Sequence, residues 1–445
     1  MIFTKEESRE LIQKILSYSK ADSASVTLTG SNSNNLRFAL NTVSTCGAIN
    51  SITADITSNF GKRSGSVRIT SIDNESIERG IKKSEEIAQL SPENEEFMPP
   101  LKKQTGYSEV KEFFDNTDKL TPNDISEKVA YTIKKAIEND LSAAGYFEKQ
   151  SSFYSVGNTN DLFAYHKETA AGFSSTIRTS DGKGSSKVDR SYADINLLDI
   201  KKFSDRVIDK TILSRNPVKY DPGKYVTILD NTAVSDMIGN LIGFMNKRSA
   251  DEGRSFFSDK DKVNKIGQQI SGSKVNIYSD PQAQDAPSSP FSSEGMPVFK
   301  TQWISDGILK NLYSGRYWAK KTNSDYVPYP TNILMTGSDK SVEDLIASTE
   351  KGIYVMRFWY IRTVDPKQIL MTGLTRDGVF LIENGKIVSA INNFRFNESP
   401  VNILNNIIDM SAAEKVVGSE TGDEKIVVPA LKLSEFNFST VSDAF

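Results

Sequence analysis

Histidine and cysteine limit the hydrolytic chemistry open to this chain, which has one of each, His166 and Cys46. Zinc hydrolases, Ser-His-Asp enzymes and most Cys-His enzymes each need a correctly placed imidazole. A site that takes two histidine ligands from this chain is therefore excluded. A lone cysteine also excludes an intramolecular disulfide, which fits a reducing compartment.

His166 lies in the segment Leu162–Lys167, which has the pattern of a strand. It could act as a general base or a lone metal ligand, or it could be a strand histidine that faces solvent or a neighbouring hydroxyl. We favour the strand histidine, because the sequence has no Gly-x-Ser-x-Gly elbow to expose a serine nucleophile beside it.

Asp236 and Asn240 lie in the apolar stretch Thr232–Asn246, whose period of 3.6 predicts a helix. The two polar residues share one helix face and could line a cleft, but we favour a core-packing helix as the explanation of the pattern. Gly239 and Gly243 in the same stretch indicate that another element approaches the helix closely.

Two other motifs are better explained as turns. The run Asp181–Ser186 superficially resembles a phosphate loop, but its residues do not follow the order G-x-x-x-x-G-K-[ST], so we predict a hairpin turn. An aspartic protease needs two carboxylates that share a proton, whereas the Asp-Gly pairs here fall where turns are expected. These pairs, with one Asn-Gly, predict hairpins at 306–307, 377–378 and 384–385.

The elements around these residues predict an α+β protein. A capping box from Thr4 to Glu7 opens an amphipathic helix, and short alternating runs between Gly and Asn residues follow it. The predicted strands of the first half are 26–29, 36–40, 52–56, 66–70, 153–156, 162–166, 172–179 and 191–197. The predicted helices are 76–90, 122–143, 201–213, 232–246, 341–348 and 400–410.

The chain of 445 residues is too long for one ordinary core, so two domains are expected. We place an N-terminal α/β domain with an antiparallel sheet and flanking helices at residues 1–218. A mostly β C-terminal domain at residues 219–445 carries the helix 231–246. The turn formers Asn216-Pro217 and Tyr220–Gly223 mark the boundary.

Composition narrows the partners and the location. The net charge is -3, from 54 basic and 57 acidic residues, so no basic excess points to direct nucleic-acid binding. The N-terminus lacks the apolar core of a secretory signal, and no run of about 18 apolar residues predicts a membrane helix. We expect a cytoplasmic protein without membrane contact.

The C-terminal half resembles the TldD/PmbA family, formerly described as modulators of DNA gyrase. The resemblance rests on the order and spacing of several short segments. They are Pro290-Phe291-Ser292-Ser293-Glu294-Gly295, Asp306-Gly307-Ile308-Leu309, Pro330-Thr331-Asn332, Gly352-Ile353-Tyr354, 380–387 (FLIENGKI) and 428–433 (VPALKL). The N-terminal half agrees with the family in its order of helices and strands.

In the zinc-bearing TldD branch, the family's metal site is a helical HExxxH motif with a further Cys from the C-terminal region. By this resemblance the two His positions are Ser235 and Asn240 here, and the Glu position is Asp236. The region that would donate the Cys, 416–422, contains no sulfur. Because Zn²⁺ takes imidazole, thiolate or carboxylate, of these three only Asp236 could coordinate it, and we expect no metal or other cofactor.

The segments 290–295 and 428–433 resemble the PmbA branch, also called TldE. That resemblance implies a subunit without zinc that joins a TldD-type metallopeptidase subunit in proteolysis or peptide processing. The alternatives are a stand-alone homodimeric binding or scaffold protein, and an independent enzyme that uses Asp236. The aromatic run Met356–Arg362 predicts a buried strand or, through Arg357, Trp359 and Arg362, an interface.

Overall fold

The structure is a computed structural model that describes residues 2–422 and 424–442. Its helices are α1 Lys5–Ser17, α2 Asn74–Leu90, α3 Asp115–Asp118, α4 Pro122–Glu138, α5 Ile200–Leu213, α6 Asn231–Phe244, α7 Lys247–Asp251, α8 Arg316–Lys321, α9 Val342–Ala347 and α10 Pro400–Asn405. No helix among these described residues is both long and apolar enough to cross a bilayer.

The strands fall into two sheets. The first sheet contains β1 Ser23–Ala39, β2 Thr42–Phe60, β3 Arg63–Ile69, β4 Leu141–Asn158, β5 Phe163–Thr179 and β6 Ser185–Tyr192. The second contains β7 Gly223–Leu229, β8 Ile277–Ser279, β9 Thr301–Ser305, β10 Ile308–Leu309, β11 Ile333–Met335, β12 Lys351–Asp365, β13 Leu370–Glu383, β14 Lys386–Ala390, β15 Asn393–Glu398, β16 Ile407–Val416 and β17 Ile426–Ser442. The predicted α+β class is confirmed.

The first sheet is antiparallel, in the order β3-β2-β1-β4-β5-β6. Its apolar face packs on the long helices α1, α2, α4 and α5, and buried residues such as Phe147, Phe173 and Val207 form one of the cores there. Over residues 146–155 of β4 the odd-numbered residues are buried and the even-numbered ones are half-buried. This alternation gives the sheet a second, polar face.

The second sheet closes on itself. Strand β7 pairs with both β12 and β17, so the strands β17, β15, β13, β12 and β7 form a closed barrel. Closure leaves these five strands without a free edge. Helix α6 packs on β12 and β17 through Met237, Leu241 and other buried apolar residues. The strands of the first sheet end at Tyr192 and those of the second begin at Gly223, on either side of the predicted boundary at 218 and 219.

Several predicted elements were wrong in their extent. The short strands predicted at 26–29, 36–40 and 52–56 are parts of the longer strands β1 and β2, because Gly30 and Asn residues stay within the ladder. The helix predicted over 122–143 ends at Glu138, where Asp140 adopts a positive φ of 54° before β4. The helix predicted over 400–410 ends at Asn405, and β16 pairs with β17 from Ile407.

Of the three hairpins predicted at Asp-Gly and Asn-Gly pairs, two are confirmed and one is wrong. The pairs at 306–307 and 384–385 join β9 to β10 and β13 to β14. Asp377 and Gly378 lie inside β13, where both have positive φ and the pairing with β12 skips a residue. They form a bulge, which needs the same residue types as a turn. Asp377 there forms a buried salt bridge of 3.3 Å with Arg357.

Candidate functional site

Helix α6 places the three positions of the family's metal motif beneath a loop. Ser235 and Asp236 are fully buried. The Ser235 hydroxyl donates to the carbonyl of Thr232 at 2.8 Å, and the Asn240 amide donates to the carbonyl of Asp236 at 2.7 Å. Both polar side chains therefore bond to their own helix backbone.

The loop 417–422, between β16 and β17, covers Asp236. The backbone N–H of Glu420 donates to Oδ1 of Asp236 at 2.9 Å, whereas Oδ2 is buried without a hydrogen-bond partner among the described residues. Burial raises the pKa of Asp236 to about 7, although the N–H groups of Glu420 and Ser419 oppose the shift. Gly418 lets the loop come this close, because a Cβ there would lie 2.5 Å from Oδ1 of Asp236.

These residues do not fit a zinc ion. Zn²⁺ takes nitrogen, thiolate or carboxylate donors, and a serine hydroxyl and an asparagine amide that bond to the helix supply none of them. Among the described residues of α6 and the loop 417–422, Asp236 and Glu420 supply the carboxylates, and Glu420 binds the backbone N–H of Tyr360 at 2.6 Å instead. No chemical step is therefore derived through a metal here.

A cavity of about 600 Å³ lies on the other side of that loop. Its floor is the polar face of the first sheet, and its roof is the end of β16 with the loop that leads to β17. The floor comprises Tyr146, Glu148, Gln150 and Ser152 of β4, Glu168, Ala170, Gly172 and Ser174 of β5, and Lys187, Asp189 and Ser191 of β6. Lys415, Ser419 and Lys425 belong to the roof. Asp236 does not line it, so the loop separates the motif positions from the cavity.

A second cavity of about 540 Å³ adjoins the first along the same sheet face. The two share Gln150, Ser152, Glu168 and Lys425. Phe291, Ser293 and Thr331 line the second cavity, and these residues lie in the segments 290–295 and 330–332 that carry the family resemblance. Two of the resemblance segments therefore border a groove between the two halves of the chain.

A cluster of charged groups stands where the two cavities meet. His166 Nε2 lies 2.7 Å from a carboxylate oxygen of Glu112, and Lys425 Nζ donates to both Glu112 and Glu168, at 2.6 Å in the latter case. The ligand atoms of Glu112, His166 and Glu168 lie within 4.8 Å of one another, close enough to hold a metal ion. The ammonium of Lys425 already bonds to both carboxylates, so we assign the cluster to charge pairing.

The cluster shifts the pKa values of Glu168 and Lys425. Burial disfavours the charged form of Glu168, yet the nearby ammonium of Lys425 outweighs burial and lowers the pKa of Glu168 to about 2. Burial likewise opposes protonation of Lys425, but Glu168 and Glu112 together raise its pKa. The pair is therefore ionised at neutral pH.

The prediction that His166 faces solvent or a hydroxyl was wrong. The residue is 8% exposed and contacts Glu112, which lies in an irregular segment 54 positions earlier. Sequence reasoning also missed Glu168, Lys415 and Lys425. Strand periodicity could have placed Glu168 beside His166, because residues two apart share a face. No sequence signal marks the two lysines.

Comparison with known sequences gives a family for the C-terminal half. Residues 222–440 match the family described as PmbA/TldA metallopeptidase C-terminal domain. A comparison with the curated proteins finds no match.

Solved structures share the fold over nearly the whole chain. TldE from Thermococcus kodakarensis has a TM-score of 0.85 at 18% identity, over 97% of this chain and 99% of that one. A proposed modulator of DNA gyrase from Bacteroides thetaiotaomicron gives 0.84 at 19% identity, over 98% and 99%. Another from Thermotoga maritima gives 0.83 at 15% identity, over 97% and 99%.

The TM-scores establish the fold of the whole chain, and the sequence match relates residues 222–440 to the family. The segments that predicted the resemblance, the matched residues 222–440 and the shared fold agree with one another. Residues 222–440 therefore form a C-terminal domain of the PmbA/TldA metallopeptidase type, and the whole chain shares the fold of TldE and of the two gyrase-modulator structures.

Proposed function

We propose that the chain is a TldE-like subunit that holds no zinc of its own and takes part in peptide processing with a zinc-bearing homologous subunit. The proposal rests on how the polar side chains of α6 are bonded and covered. Ser235 and Asn240 bond to their own helix, and Asp236 lies under the loop 417–422. A helix closed in this way lacks the donors and the open position that a catalytic zinc needs.

The groove supports a role in holding peptides. Its floor is a polar strand face, whose side chains and nearby backbone offer donors and acceptors along an extended chain. The segments typical of the family border it. A subunit of this kind contributes walls and orientation, and the partner supplies the hydrolytic chemistry.

Metal analysis of the purified chain tests the first half of the proposal. We expect far less than one zinc per chain after dialysis, and no hydrolysis of an unstructured peptide by the chain alone. Tightly held stoichiometric zinc would refute the proposal. Hydrolysis that resists chelators and vanishes with Asp236→Ala would instead favour an independent carboxylate enzyme.

Copurification tests the second half. A tagged chain, expressed from its native source, should retain a homologue that carries HExxxH, and chelators should abolish the peptidase activity of that complex. A homodimer without such a homologue would favour the alternative, a stand-alone binding or scaffold protein. Native mass measurement distinguishes the two assemblies directly.

A further inference from the structure

Lys415, in the roof of the 600 Å³ cavity, has no counter-ion within salt-bridge distance among the described residues. It lies at the end of β16, half-buried, with Nζ 5.7 Å from the centre of the Tyr192 ring. No hydrogen bond or salt bridge joins its ammonium to another described residue. A partly desolvated ammonium in this state is stabilised by any anion that reaches it.

Among the carboxylates near Lys415, Glu112, Glu168 and Glu414 already bind other cations, whereas Asp285 is exposed and forms no salt bridge with Lys415 among the described residues. Glu112 and Glu168 both bond to Lys425. The neighbouring Glu414 forms a salt bridge of 3.1 Å with Arg190 and lies 3.7 Å from Arg206. Since these acids are engaged, the fold leaves the charge of Lys415 available to something outside it.

Other groups act on Lys415 from a distance. Burial lowers its pKa to about 8, and Lys425 adds to that shift, whereas Glu112, Glu168 and Asp285 oppose it. On the floor, Asp189 lies 3.2 Å from Lys187. The amine therefore remains largely protonated at neutral pH and gains most from a ligand that brings its own negative charge.

We propose that this cavity receives the carboxylate group of a peptide, with the ammonium of Lys415 as its anchor. The inference rests on the proposed peptide-holding function and adds the chemical group that is recognised. A peptide offers two sources of carboxylate, its C-terminus and an acidic side chain, and both have the same chemistry toward Lys415. The C-terminus is the source that every peptide carries.

Three peptides of one neutral sequence test the proposal by anisotropy of an N-terminal dye. The first ends in a free carboxylate, the second in an amide, and the third ends in an amide but contains one glutamate. We expect the wild-type chain to bind the free acid about tenfold more tightly than the neutral amide. Tight binding of the third peptide as well would support the carboxylate class and add the side chain as a source.

Variants assign the preference to one residue. Lys415→Met should bind acid and amide equally, and Lys415→Arg should restore the preference. Lys134→Met removes an exposed charge from α4, outside the cavity, and should leave the preference intact. Thermal melting shows that each variant folds.

Equal binding of acid and amide by the wild type would overturn the proposal, as would a preference that survives Lys415→Met or the failure of every peptide to bind. None of these outcomes depends on zinc content or on a copurified homologue. A failure here is therefore distinguishable from failure of the proposed function.

Discussion

At the scale of single residues, Asp236 combines burial with incomplete hydrogen bonding. One oxygen accepts the N–H of Glu420, and the other has no partner within the described part of the chain. Its pKa near 7 means that the folded protein binds a proton there more tightly than the unfolded chain does. The negative charge is thus a source of instability at alkaline pH.

Replacing Asp236 with asparagine should remove that pH dependence. The folded pKa lies above the ordinary carboxyl value of 3.8, so this group's contribution is most favourable below about pH 4 and is lost as pH rises through 7. We expect Asp236→Asn to be more stable than the wild type at pH 8 by up to about 4 kcal/mol. Urea unfolding at several pH values from 5 to 8 measures the difference, and parallel curves would contradict the prediction.

Lys425 should stabilise the fold in the opposite pH range. Lys425→Met leaves the buried carboxylate of Glu112 without its cation, and we expect a loss of about 3 kcal/mol at pH 7. Because the pKa of Glu168 is lowered to about 2, wild-type stability from this pair is present above about 4.5 and falls as pH drops toward 2. The unfolding free energy of the variant should not show this fall at acid pH. The double variant with Glu168→Gln gives the coupling between the two residues.

At the scale of elements, α6 and the loop 417–422 can pack closely because Gly239 has no side chain. A Cβ at Gly239 would lie 2.4 Å from the Thr421 methyl group, whereas a Cβ at Gly243, one turn later, would meet nothing within 4 Å. The sequence predicted a close approach at both glycines, and the geometry places it at Gly239.

The two glycines provide a matched pair of variants on one helix. We expect Gly239→Ala to destabilise the protein by about 1–3 kcal/mol, because the loop must move. Gly243→Ala should stabilise it by up to about 1 kcal/mol, because alanine favours helix and no neighbour is displaced. Thermal or urea unfolding compares them, and an equal effect of both would mean that the contact with Thr421 carries no strain.

Local signals predicted most helices because their information is contained within a few residues. The capping box at Thr4 starts α1 as expected. Strand ends were poorly predicted because they depend on partners far along the chain. The polar types that close a turn also fit a bulge, so Asp377 and Gly378 carried no signal that separates the two.

At the scale of the whole molecule, an exposed aromatic surface lies close to the loop 417–422. Trp359 and Tyr360 of β12 are 38% and 54% exposed, and guanidinium groups of Arg357 and Arg362 lie over their rings. Tyr360 has a φ of 57°, unusual for an aromatic residue, and its N–H donates to Glu420. Tryptophan, tyrosine and arginine are enriched where subunits bind each other.

We expect this surface to contact the homologous subunit. Trp359→Ala should weaken the assembly by about 2 kcal/mol, roughly thirtyfold in Kd, without a matching fall in melting temperature of the isolated chain. Val388→Ala, an exposed residue of β14, is the control. Sedimentation of the mixed subunits gives the affinities. An intact assembly from a less stable Trp359 variant would assign the tryptophan to structure alone.

The candidate site could be predicted only in part, because its residues come from distant parts of the chain. The family resemblance identified Ser235, Asp236 and Asn240, which α6 holds within one helix. The charged cluster combines Glu112 and His166 with Lys425, which is 257 positions from Glu168. A single sequence does not contain such pairings. It does contain the alternation of β4, from which a polar sheet face follows.

The groove has one wall from the first sheet and one from the strand ends of the second, more than 200 residues later. A ligand in the groove therefore contacts both halves of the chain at once. Occupancy should raise the melting temperature, since a ligand favours only the state in which both walls exist. The same reasoning implies that neither half, expressed alone, will retain the ligand.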